Sequence, residues 1–168
     1  DYIAYTSKRL SAPDSNQYSV RLRDIGSNSL PQSLGDCLAP CGSPVWHPDH
    51  SNVVWSDGTA IGIFNVAGSV PRPLLENNLG GDPSDTVVYS PIAWARNGRY
   101  LLIWQAAYEG GQRAILDVPS GQVLGLPDSF VYAGLTFAEV SWMQDDRLLV
   151  MRPDAANELF GSPTIELW

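Results

Sequence analysis

The chain has 168 residues, 44% hydrophobic and 17% charged, with a net charge of −8 and a pI near 4.5. That balance predicts one globular domain with a substantial core and excludes a disordered chain. Ten Lys and Arg against eighteen acids argue against a nucleic-acid partner and exclude a polybasic membrane patch, and no apolar run is long enough to span a bilayer.

Six Trp and seven Tyr favour strands over helices, and 15 Gly with 13 Pro imply many turns. Asp1 begins the chain without a signal peptide, which we expect to have been removed or to lie outside this sequence. In chain order, "DYIAYTS" reads as a strand and "YSVRLRDI" as a second, with apolar residues alternating at Tyr18, Val20 and Leu22. "GSNS" is a turn and "LPQSL" a further strand.

Cys37 and Cys41 follow in "GDCLAPCGS". Two thiols four apart in a Pro/Gly-flanked loop are either reduced neighbours or a small disulfide, and we expect the disulfide, on the grounds of an oxidising compartment. From Ser43, "SPVWHPDHSNVVWS" gives a short β-prone run ending in Trp46, a polar turn, and a second apolar run. A third strand "AIGIFNV", a turn "AGSV" and a fourth strand "PRPLL" complete the unit.

The same order returns twice. "SPIAWARNGRYLLIWQ" leads to "RAILDV", "PSGQ" and "VLGLP"; "AEVSWMQDDRLLVMR" leads to "TIELW" at the end of the chain. Trp46, Trp94 and Trp142 stand at one position of the unit, and their numbers differ by 48 each time. A repeat of four short antiparallel strands near this length predicts an all-β chain of β-propeller blades. The approximate blades are 1–36 (lacking its first strand), 37–80, 81–128 and 129–168 (lacking its last strand). At 48 residues a blade the chain amounts to about 3.5 blades, an incomplete ring.

A strand ending in Trp, a Ser-Pro-Asp-Gly-like turn and an apolar strand resemble the WD40-like repeat of TolB-type propellers. "WHPDHS" keeps Pro48 and Asp49, "WARNGRY" keeps Asn97 and Gly98, and "WMQDDRL" keeps only the acidic turn at Asp145 and Asp146. The resemblance implies a fold and no single activity, because this family includes periplasmic scaffold proteins and gating domains of some serine peptidases.

His47 and His50, the only histidines, fall in the first hairpin. Pro48 and Asp49 supply the turn there, and no third or fourth imidazole completes a zinc site, so both histidines read as turn residues. The chain lacks a G-x-S-x-G elbow, a P-loop, a G-x-G-x-x-G fingerprint and an EF-hand loop. We therefore expect no catalytic residues, no metal and no cofactor. "NLGGDPSD" (78–85) lacks the Lys of a phosphate loop and reads as an interblade connection. Trp46, Trp94 and Trp142 recur at one blade position, which predicts packing between blades rather than a sugar platform.

In a propeller the loops between second and third strands share a face with the interblade connections. That assignment gathers Asp14, Asp36, Asp57, Glu76, Asp82, Asp85, Glu109, Asp128, Asp154 and Glu158 on one face with Lys8 and Arg9, and sets Arg72, Arg96, Arg99 and Arg147 opposite. Long loops on a rigid scaffold are where binding usually resides. Asp82, Asp85, Glu109 and Asp154 are thus the candidate partner-binding residues, for a cationic protein or peptide. The expected function is a non-catalytic protein-binding or scaffold segment of a larger secreted or surface protein, extracytoplasmic and self-associating through open blade edges. The alternative is an accessory, gating propeller of a serine peptidase whose catalytic domain is absent from this chain.

Overall fold

Short β-prone runs separated by turns pair with their nearest neighbours in sequence, and the result here is a series of antiparallel meanders. The computed structural model describes residues 1–8, 17–37, 41–68, 70–108, 110–126, 139–152 and 164–167. Four sheets follow one another along the chain. The first contains β1 (Tyr2–Lys8), β2 (Tyr18–Asp24) and β3 (Gln32–Cys37). The second contains β4 (Val45–Trp46), β5 (Asn52–Ser56), β6 (Ala60–Asn65) and β7 (Arg72–Glu76). β8 (Val87–Trp94), β9 (Tyr100–Ala107), β10 (Gly110–Asp117) and β11 (Gln122–Gly125) form the third. The fourth has β12 (Glu139–Trp142), β13 (Leu148–Arg152) and β14 (Thr164–Leu167). The fold is all-β, built of propeller blades, two of four strands and two of three among the described residues.

Strands in the middle blades read as unbroken apolar runs because both faces of each sheet are covered. In β5, Val53 and Trp55 pack with Val20, Leu22 and Leu34 of the first blade, while Val54 packs with Trp94, Leu101 and Ile103 of the third. In β9 the intervening Leu102 turns the other way, towards Val140, Leu148 and Val150 of the fourth blade. Each apolar cluster therefore lies between two consecutive blades, and the core is the set of these interfaces. β8 lies against both β4 and β12, so the first strands of successive blades are neighbours.

The first strands β4, β8 and β12 each end on a tryptophan. Trp94 is buried, whereas Trp46 and Trp142 are half-buried. Each packs towards the preceding blade: Trp46 in the first cluster, Trp94 in the second, Trp142 in the third. Trp142 also donates its indole Nε1–H to the carbonyl of Ala93 at 3.0 Å.

The hairpins after these strands share one geometry. His50, Gly98 and Asp146 hold left-handed backbone, with φ of 58°, 69° and 63°. Their N–H groups bond back to the carbonyls of His47, Ala95 and Met143. Asp49, Asn97 and Asp145 each accept the N–H two residues on, from Ser51, Arg99 and Arg147. An Asx residue followed by a left-handed corner is the turn chemistry that Asp, Asn and Gly favour. Among the described residues the only helical turn is Pro83–Asp85, and none is long and apolar enough to cross a membrane.

Candidate functional site on the loop face

In an antiparallel meander the connections alternate between the two ends of the sheet. Loops joining second to third strands therefore lie at the same end as those joining one blade to the next. Contacts bear this out between β5 and β8: Asn77 donates its backbone N–H to Thr59 and its side-chain amide to Gly58, and its Oδ1 accepts from Tyr89. One asparagine fastens the 57–59 loop, the end of β7 and the start of β8 together. Nothing in the sequence singles Asn77 out, since its partners Gly58, Thr59 and Tyr89 come from separate stretches of the chain.

Asp82 and Asp85 are exposed in this interblade connection. Asp82 caps the Pro83–Asp85 turn, its Oδ1 accepting from the N–H and hydroxyl of Ser84 at 2.9 and 2.8 Å. The N–H first, then the hydroxyl, hold the Asp82 carboxyl below its ordinary range. Asp57 does similar work in the tighter loop, where Oδ1 takes three bonds from Thr59 and Ala60. Glu109 and Asp154, the other two candidates, lie outside the described residues, as do Asp14, Asp128 and Glu158.

The charge contrast between the acidic loop face and the arginine-bearing hairpin face is one of degree. The hairpin face carries Asp24, Asp49, Asp117, Asp145 and Asp146 as well as its arginines. What separates the faces is pairing of carboxylates with arginine. Arg99 grips Asp117 with a two-point fork, both contacts at 3.0 Å, and Arg147 pairs with Asp145 at 2.7 Å. Both carboxyls are lowered chiefly by those arginine bonds. Asp146 accepts the N–H of Asn97 in the neighbouring blade, and Asp24 lies 3.9 Å from the N-terminal amine. Among the described residues, no ion pair engages Asp36, Asp57, Glu76, Asp82 or Asp85. Loop-face charge is left for solvent or a partner.

His47 does more than turn the chain. Its ring packs edge-on against Trp94 with centroids 4.7 Å apart. Its Nε2 donates to the carbonyl of Gly98 at 3.1 Å, and its Nδ1 lies 2.6 Å from Asp49 Oδ1. A carbonyl can only accept, so Nε2 is the donor in this contact. The imidazole thereby ties the hairpins of the second and third blades, while His50 stays exposed.

Cys37 and Cys41 are joined in a disulfide with Cα atoms 5.5 Å apart. It sits where β3 hands over to the second blade, beside a bond from the Gly42 N–H to the Ser56 carbonyl.

No family model matches the chain, and no curated protein matches it. Solved structures do. The β-propeller domain of the trilobed protease from Pyrococcus furiosus, described as having an open velcro topology, superposes with a TM-score of 0.60 at 16% identity, over 98% of this chain and 54% of that one. A protein assigned as TolB from Agrobacterium tumefaciens gives 0.58 at 13%, over 99% and 56%. A prolyl endopeptidase structure gives 0.58 at 14%, over 89% of this chain and 23% of that one. The fold is therefore that of the TolB-type and peptidase β-propellers, and the chain spans about half the length of the first propellers it matches.

Proposed function

We propose that the chain is a non-catalytic, protein-binding segment of an extracytoplasmic propeller, and that its loop face receives a cationic protein or peptide surface. The observation that carries this reading is the set of five loop-face carboxylates without an ion pair among the described residues, set beside Asp117 and Asp145 on the hairpin face, each held by an arginine. Opposite potentials steer encounter and discriminate between partners, and unpaired surface charge on anchored loops supplies one half of such a match. The disulfide supports a location outside the cytoplasm, where thiols oxidise and stay oxidised. Exposed apolar residues on the outermost sheets support self-association as a second property.

The test uses an acetylated, amidated peptide of alternating Lys and Gly as a probe. Its binding should weaken steeply with salt, since exposed charges are screened over about 10 Å at 0.1 M. Asp82→Asn/Asp85→Asn should reduce it further at low salt. Unchanged binding by that variant assigns the charge to solubility alone. The similarity to a prolyl endopeptidase propeller favours, as a second reading, an accessory domain beside a hydrolase. A hydrolase nucleophile elbow elsewhere in the full-length protein would decide for it.

A further inference from the structure

A groove of about 400 Å³ runs along the second blade on the side that faces the first. Its floor is a row of three cross-strand positions, Trp55 opposite Gly62 and Gly62 opposite Pro73. Because Gly62 has no side chain, the Trp55 indole lies across it, and a Cβ added there would stand 3.0 Å from the ring. Gly35 of β3 closes on the same edge of the indole, its Cβ position 3.7 Å from Nε1. Trp55 is only 2% exposed, and its buried Nε1–H, like that of Trp94, has no acceptor among the described residues.

The ends of the groove differ in charge. Asp57 and Glu76 stand at the loop-face end and Arg72 at the other. Arg72 and Glu76 bound β7, roughly 13 Å apart at ordinary strand rise. Asp57 spends Oδ1 on its own loop and leaves Oδ2 unbonded among the described residues. Pro71 and Pro73 remove two N–H donors from the β7 edge, which hinders strand addition there and leaves the groove as the place for an extended ligand.

We propose that this groove holds an extended peptide segment about five residues long, basic at the loop-face end, acidic at the Arg72 end, and running across Gly62 beside the Trp55 indole. The inference rests on the protein-binding reading and supplies the chemistry of the partner. The probe is acetylated, amidated Lys-Pro-Ala-Val-Glu, titrated into the ¹⁵N-labelled chain while indole N–H signals are followed; loss of one signal in Trp55→Phe identifies the relevant resonance. That signal should shift saturably, and affinity should fall about tenfold in Asp57→Asn/Glu76→Gln, whose Asn keeps the Oδ1 acceptor of the turn. Binding with an unmoved Trp55 signal overturns the groove, and so does the absence of saturable binding at millimolar peptide. Neither result touches the loop-face reading, which fails separately if the Lys/Gly probe ignores Asp82→Asn/Asp85→Asn.

Discussion

His50, Gly98 and Asp146 occupy the same corner of three successive hairpins, and only one of them is the residue that corner prefers. Left-handed backbone costs an L-residue about 1–2 kcal/mol, partly offset because glycine gives up more chain entropy on folding. His50→Gly should therefore raise stability by about 0.5–1 kcal/mol, read as a higher urea midpoint with an unchanged slope. His50 is exposed, and its side chain makes no bond among the described residues. Its neighbour Asp49 makes a pH prediction. The Ser51 hydroxyl first, then the Ser51 N–H and His47, hold its carboxyl down to about 2 from an ordinary 3.8. A depressed folded-state pKa contributes stability that is complete above the unfolded value and is lost as pH falls through the folded one. Urea midpoints should thus decline between about pH 4 and pH 2, and less steeply in Asp49→Asn; parallel pH profiles would contradict this. The local part of this hairpin was legible, since Pro-Asp in a polar gap announces a turn. The reach of His47 to Gly98, 51 residues away, was not, because a single histidine leaves no periodic trace of its partner.

Among elements, the first strands are the best specified. A tryptophan at a fixed interval marked their ends in the sequence, and β4, β8 and β12 stop on those residues. The burial of the three differs, however, which a repeat cannot foretell: each depends on what the preceding blade sets against it. Trp94 meets a complete four-stranded neighbour together with the His47 ring, so Trp94→Ala should cost about 3–5 kcal/mol. The half-buried Trp46 and Trp142 should cost less on the same change. A loss below about 1 kcal/mol at Trp94 in urea unfolding would break the argument. The bulges between Val20 and Arg21, Ile61 and Gly62, and Pro91 and Ala93 left no signature either, since no one glycine or proline pattern is common to the three. The Cys37–Cys41 link joins two blades across a short connection. Closing so small a loop removes modest entropy from the unfolded chain, so Cys37→Ala/Cys41→Ala should lower stability by about 2 kcal/mol. Alkylation under non-reducing conditions, followed by mass measurement, should find no free thiol in protein from an oxidising compartment.

Across the whole molecule the two outermost sheets expose different faces. On the fourth blade, Val140, Leu148 and Val150 turn towards the third, which leaves Met151, Ile165 and Leu167 outward and 41%, 64% and 53% exposed. Cross-strand pairing sets Met151 opposite Ile165 and Leu149 opposite Leu167, so these side chains form one contiguous apolar surface. On the first blade the outward row pairs Ile3 with Arg23 and Tyr5 with Arg21, so two guanidinium groups break its apolar character. A contiguous apolar surface seeks cover, and a matching surface on a second copy provides it through a two-fold contact. The basic face of the first blade offers a poorer match, because docking apolar side chains there would desolvate arginines without pairing them. We therefore expect the isolated chain to associate with itself through the fourth blade, with an average mass that rises with concentration in sedimentation equilibrium. Ile165→Glu should hold it at the monomer mass while leaving the far-ultraviolet spectrum and the Trp94-centred interface unchanged, since Ile165 lies away from the third blade. Arg21→Gln/Arg23→Gln should leave the association as it is. A monomer at every concentration would show that the exposed face is tolerated by the chain alone, and association unaffected by Ile165→Glu would place the contact elsewhere.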